Sequence, residues 1–174
     1  MNPYRGLPNV PQFQLTSTDV TDGTPLPAAQ YSASSGVPGG SDRSPQLSWA
    51  GYPATTKSFV VTMFDPDAPT GSGFWHWAVM DIPVSAHSLP SGAGSPGSGQ
   101  LPPPAVQLPN DAGLRQYVGA APPAGSGLHH YFITVTALDV AAAGVDPTAT
   151  PAVLTASIGP HTVGRASLVP TAQR

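Results

Sequence analysis

The sequence predicts a mostly-β fold made of short strands joined by turns, and three observations predict it. The 174 residues carry 23 Pro and 19 Gly along the whole chain, and a Pro inside a helix costs about 3 kcal/mol. The usual surface helix formers are scarce, with no Glu and a single Lys, Lys57. Three strand-length runs are rich in β-branched and aromatic residues, which suit a pleated, buried surface.

Each element follows from its local pattern. Residues 13–16 read as a short entering strand, and residues 22–45, rich in Gly, Ser and Pro, as a long surface connection. Residues 47–49 (LSW) form a short extended piece. Residues 57–64 (KSFVVTMF) are apolar on both faces, the signature of a central buried strand. That strand ends at Asp65-Pro66, where Pro removes a ladder donor. A tight Pro/Gly loop, 66–73, leads to a second buried strand at 74–82 (FWHWAVMDI). Residues 88–104 (SLPSGAGSPGSGQLPPP) are low complexity and read as a surface excursion, since strand signals resume after them. A short strand is expected at 114–118, a rigid Gly/Pro loop at 119–127 and a third strong strand at 130–139 (HYFITVTALD). Beyond residue 146, segments 152–158 and 162–168 are each expected to form a short helix, separated by Gly159-Pro160. The chain is expected to form one domain over 1–174, with loose termini at 1–10 and 170–174.

Composition excludes several functions. Charged residues make up only 9% of the chain, the net charge is −3 and no basic cluster occurs. Nucleic-acid binding needs a basic stripe, and docking on an anionic membrane needs a basic patch. Without cysteine there is neither a disulfide framework nor thiolate chemistry. The N-terminus lacks the charged head and apolar stretch of a signal peptide, and no apolar run approaches the ~20 residues that span a bilayer. A cytoplasmic protein is expected.

Polar residues gather at the strand ends: Asp65 and Asp67 after the first strong strand, His76 at the start of the second, His129 and Tyr131 at the start of the third. Pockets commonly form at such ends, beside Gly/Pro loops. Side chains alternate along a strand, so Tyr131 shares a face with Ile133, Val135 and Ala137, and His129 lies on that side. His130 lies on the other, with Phe132, Thr134 and Thr136. A His N–H and a Tyr hydroxyl donate to an anionic oxygen. The Asp pair can orient the imidazoles and keep them protonated. Read singly, Asp-Pro-Asp is also a common turn and His76 beside two Trp also reads as a core residue. The ligand spacing of a metal site is absent, so neither metal nor cofactor is expected. A Gly-x-Ser-x-Gly elbow is also missing, Gly125-Ser126-Gly127 being only a fragment of one.

In their order these residues resemble the phosphatidylethanolamine-binding protein family, in particular its bacterial Raf-kinase-inhibitor-like branch. The first matching block is DPDAPTGSGFWHW at 65–77 and the second YVGAAPPAGSGLHHY at 117–131; SPQLSW at 44–49 and Asn110-Asp111 also match. The resemblance runs from about residue 13 to 168. It implies an antiparallel β-sandwich with a large central sheet, a smaller sheet and peripheral C-terminal helices. It further implies a pocket for phosphate, acetate or a phosphorylated head group, with Asp65, Asp67, Phe74, His76, Ala121, Pro123, His129 and Tyr131 as ligand-binding residues. A cis peptide within 65–69 and a homodimer are also implied. His130 stands where the family usually has Arg, which removes a permanently charged forked donor. Its parity suggests altered loop anchoring rather than lost binding. Three functions follow as expectations: a non-catalytic binder of a small anion or head group, foremost; an inhibitor of a kinase or other protein; or an enzyme isomerising or cyclising a small metabolite through His76, His129, Asp65 and Asp67.

Overall fold

The computed structural model describes residues 2–174. In chain order the strands are β1 (Gln14–Thr16), β2 (Leu47–Ala50), β3 (Ser58–Asp65), β4 (Phe74–Pro83), β5 (Ser88–Leu89), β6 (Val106–Gln107), β7 (His129–His130), β8 (Phe132–Leu138), β9 (Thr162–Leu168) and β10 (Thr171–Ala172), with one α-helix, α1 (Pro151–Ser157), before β9. The large sheet has the order β6-β4-β3-β8-β9, the second sheet β1-β2-β5, and β7 pairs with β10. All recorded strand pairs are antiparallel. This is the expected sandwich.

The strand β3 is central and buried along its whole length. Its inner side chains Phe59, Val61 and Met63 meet Ile133, Val135 and Ala137 of β8 and Leu15, Leu47 and Trp49 of the small sheet, forming the main core. Its outer side chain Val60 joins Ala78, Met80, Leu138, Leu154 and Ile158 in a second core beneath α1. Thr150 caps that helix, its side chain accepting from Val153 N, and Pro151 occupies the first turn.

Several expectations are corrected. Residues 162–168 form the edge strand β9 rather than a helix: Gly164 and Ala166 face inward while Arg165 and Ser167 face out, a period-two pattern. Residues 114–118 form no strand; Val118 N donates to His76 O and Tyr117 N to Gly94 O, single bonds rather than a ladder. The 88–104 segment is not wholly superficial, since it contributes β5 and buries Leu89 and Ala93 completely. The C-terminal residues are tied down: Ala172 is buried in β10 and Arg174 O accepts from Gly125 N. At the other end Tyr4 packs edge-on against Phe132 and beneath the Arg165 guanidinium. No cis bond lies within 65–69; the described chain has its cis peptide at Pro103-Pro104. The 65–69 loop turns instead on Asp65 Oδ1, which accepts from Asp67 N at 2.8 Å.

Candidate functional site

The loops at one end of β3, β4 and β7 enclose a cavity of about 270 Å³. A β-bulge at His76 shapes it. In the β3–β4 ladder Met63 pairs with Trp77 and Phe64 with Trp75, which leaves His76 without a partner. A bulge inserts one residue and re-aims side chains. Trp77 stays in the core and Trp75 turns outward onto Phe64, with ring centroids 4.3 Å apart. His76 turns inward between Phe74 and Tyr131, at 4.8 and 5.3 Å.

The His76 ring is fixed by its Nδ1–H, which donates to Val118 O at 2.9 Å. Burial pushes this imidazole below its ordinary pKa, against the Val118 carbonyl and Asp65. Nε2 is then a lone-pair acceptor at the cavity wall. Tyr131 is fully buried and its hydroxyl makes no hydrogen bond among the described residues. Burial, then the Asp65 carboxylate, push that hydroxyl's pKa up, so it stays a donor.

Asp65 and His129 form a buried pair, 2% and 1% exposed. His129 Nδ1–H donates to Asp65 Oδ2 at 2.7 Å, and Nε2 lies 2.8 Å from Ser126 Oγ. The Ser126 hydroxyl has a second acceptor, Pro123 O at 2.7 Å. Phe74, Ala121, Pro123, Ala68, Pro69 and Pro122 supply much of the remaining wall. The wall includes no Lys or Arg.

Of the expected residues, the cavity gathers Asp65, Phe74, His76, Ala121, Pro123, His129 and Tyr131 but not Asp67. Asp67 Oδ2 accepts from the backbone N–H and the Nδ1–H of His130, at 2.9 and 2.7 Å. Burial acts to raise the Asp67 carboxyl, but these two bonds outweigh it and hold the pKa low. His130 thus anchors the 65–69 loop from outside the cavity. The two carboxylates serve different histidines, and their donors do not converge on a metal position. Among the described residues no group of three or more metal-ligating side chains occurs.

Asp42 was not among the expected residues. At φ +50° it accepts from Gly119 N at 2.8 Å and Ser34 N at 3.0 Å, so it positions both Ser35 and the 118–121 wall. Burial opposes its ionisation, yet these N–H donors hold its carboxyl below the ordinary value. A lone Asp in a Gly/Ser-rich stretch gives no sequence signal for that role. In the sequence Ser126 reads only as part of an incomplete elbow; its contact with His129 depends on the turn made by residues 123–127.

A sequence model of the family described as phosphatidylethanolamine-binding protein matches residues 16–173. The UPF0098 protein YbcL of Escherichia coli (strain K12) is 40% identical over 158 residues, covering 91% of this chain and 86% of the relative. The UPF0098 protein YbhB of the same strain is 43% identical over 156 residues, covering 90% and 97%. The crystal structure of E. coli YbcL, described as a new member of the mammalian PEBP family, superimposes with a TM-score of 0.89 at 39% identity, covering 94% of this chain and 99% of that one. Among the described residues no helix is long and apolar enough to cross a membrane.

Proposed function

The chain belongs to the phosphatidylethanolamine-binding protein family, and from that membership and the geometry of the cavity we propose that it binds a small anion or the anionic head of a phosphorylated metabolite. The Tyr131 hydroxyl carries the reading. Tyr131 lines the cavity, and its buried hydroxyl lies beside the Asp65 carboxylate without meeting hydrogen-bond geometry to any described residue. A buried donor left unpaired costs about 1–3 kcal/mol, so a fold that keeps one at a cavity wall is complemented by an acceptor arriving from outside. The backbone N–H of Ala121, on the same wall, also makes no hydrogen bond among the described residues. Together they offer an oxygen anion two donors in a cavity that also holds the Asp65 carboxylate and has no fixed cation, which favours a compact, weakly charged head.

Isothermal calorimetry with phosphate, acetate and phosphoethanolamine tests the proposal. We expect at least one to bind, and Tyr131→Phe to weaken it about tenfold to a hundredfold, since a hydrogen bond to a charged group contributes ~1.5–3 kcal/mol. The same substitution removes an unsatisfied buried hydroxyl, so the free protein's melting temperature should hold or rise. No heat from any of the three ligands, with the protein folded, overturns the proposal.

A further inference from the structure

We propose that Ser126, His129 and Asp65 form a nucleophile–base–carboxylate relay at the rim of this cavity, able to cleave a short-chain carboxylic ester through an acyl-serine. Three observations carry it. The chain of contacts is continuous, with Ser126 Oγ 2.8 Å from His129 Nε2 and His129 Nδ1 2.7 Å from Asp65 Oδ2. This is the arrangement in which an imidazole oriented by a buried carboxylate takes a proton from a hydroxyl, and it is recognised by geometry rather than by sequence order. Secondly, the base is shielded while the nucleophile is open: His129 is 1% exposed, whereas Ser126 lies on the exposed part of the 119–127 loop. Ser126 Oγ is within hydrogen-bond distance of Pro123 O and His129 Nε2, and both residues line the cavity, so the hydroxyl adjoins the cavity wall from its exposed side. Thirdly, the N–H of Gly127, the residue after the nucleophile, makes no hydrogen bond among the described residues. That position commonly supplies an oxyanion donor.

The resting hydroxyl chooses between two acceptors, Pro123 O and His129 Nε2. Rotation of the O–H about the Cβ–Oγ bond switches it to Nε2 with no heavy atom moving. In the acylation step Oγ attacks the ester carbonyl carbon while its proton passes to His129 Nε2. The tetrahedral oxyanion is met by Gly127 N–H. Collapse breaks the bond to the leaving alkoxide, which takes the proton from Nε2 and departs as the alcohol. Water then adds to the acyl carbon, giving a proton to Nε2. The carbon–Oγ bond breaks, the proton returns to Oγ and the carboxylic acid leaves. The acyl group would sit against Ala121 and Pro123, apolar residues that line the cavity.

The proposal goes beyond anion binding and stands or falls separately, because Ser126 has no part in the Tyr131 donor site. The test is hydrolysis of p-nitrophenyl acetate and butyrate by the full chain, with intact-mass and peptide mapping of the protein after exposure to a fluorophosphonate. We expect turnover above the buffer rate and a single adduct on Ser126. Ser126→Ala, a change at an exposed position, should remove the adduct and return hydrolysis to the buffer rate while the melting temperature stays within a few degrees. His129→Gln should slow turnover by at least about 10²-fold, the usual share of a general base. An adduct on any other residue, turnover retained in Ser126→Ala, or neither turnover nor adduct in the wild type overturns the proposal. Calorimetry with phosphate, acetate and phosphoethanolamine on the same preparation reads the anion site independently.

Discussion

His76 is a buried imidazole whose Nδ1 proton is committed to Val118 O, so protonation must occur at Nε2 inside an apolar wall. Its folded pKa is lowered from the ordinary 6.5, chiefly by burial. Below that ordinary value the unfolded chain binds a proton that the folded chain resists, so stability rises with pH there. The contribution is fully present above pH 6.5 and is lost as pH falls from 6.5 through the folded pKa. Unfolding free energy measured by urea titration should therefore fall between pH 6.5 and 5 more steeply in the wild type than in His76→Gln, the difference in slope being at most about 1.4 kcal/mol per pH unit. Equal slopes would show that His76 titrates normally. Strand parity was enough to separate His129 from His130, because the pleat of an extended backbone sends successive side chains to opposite faces. It could not reveal that Asp67 belongs to His130: both carboxylates sit at the same strand end, and the turn between them decides which way each points.

A strand bulge and a loop contact shape the cavity at the scale of elements, and neither has a sequence signature. Parity running unbroken through β4 would place His76 opposite Trp77; the bulge puts both inside. The strong strands were legible because Val, Ile, Phe and Met mark both of their faces. The edge strand β9 was not, because its inward residues are Gly164 and Ala166, too small to register as an apolar stripe. Their size has a cause, since a Cβ on Gly164 would come within 3.0 Å of Pro53. The wall segment 118–121 is set by a closer approach: a Cβ on Gly119 would lie 2.3 Å from the backbone carbon of Tyr31. Neither backbone can yield without breaking the Ala120 N to Gln30 O bond or the Gly119 N to Asp42 Oδ1 bond. Gly119→Ala should cost about 1–3 kcal/mol in denaturant unfolding, the range for overpacking. It should also weaken anion binding in calorimetry, because Val118 O and Ala121 N would both shift. Unchanged stability would mean that the loop moves freely and does not define the cavity.

Across the whole molecule, the large sheet separates two cores with different tasks. The inner core, between this sheet and β1-β2-β5, continues into the cavity through Tyr131, so a change there alters stability and site together. The outer core lies on the opposite face of β3 and β4, beneath α1, and contains none of the residues lining the cavity. Leu154 is completely buried in it and is the helix's main apolar anchor. Leu154→Ala should therefore cost about 2–5 kcal/mol, the transfer of the lost carbons plus the hole they leave. Anion affinity and any turnover at Ser126 should stay at wild-type levels at temperatures well below the lowered melting point. Denaturant unfolding and calorimetry on one preparation distinguish the outcomes. A parallel loss of affinity would mean that the sheet transmits changes from one face to the other, so that the site depends on the packing of α1 as well as on the three strand ends that carry it.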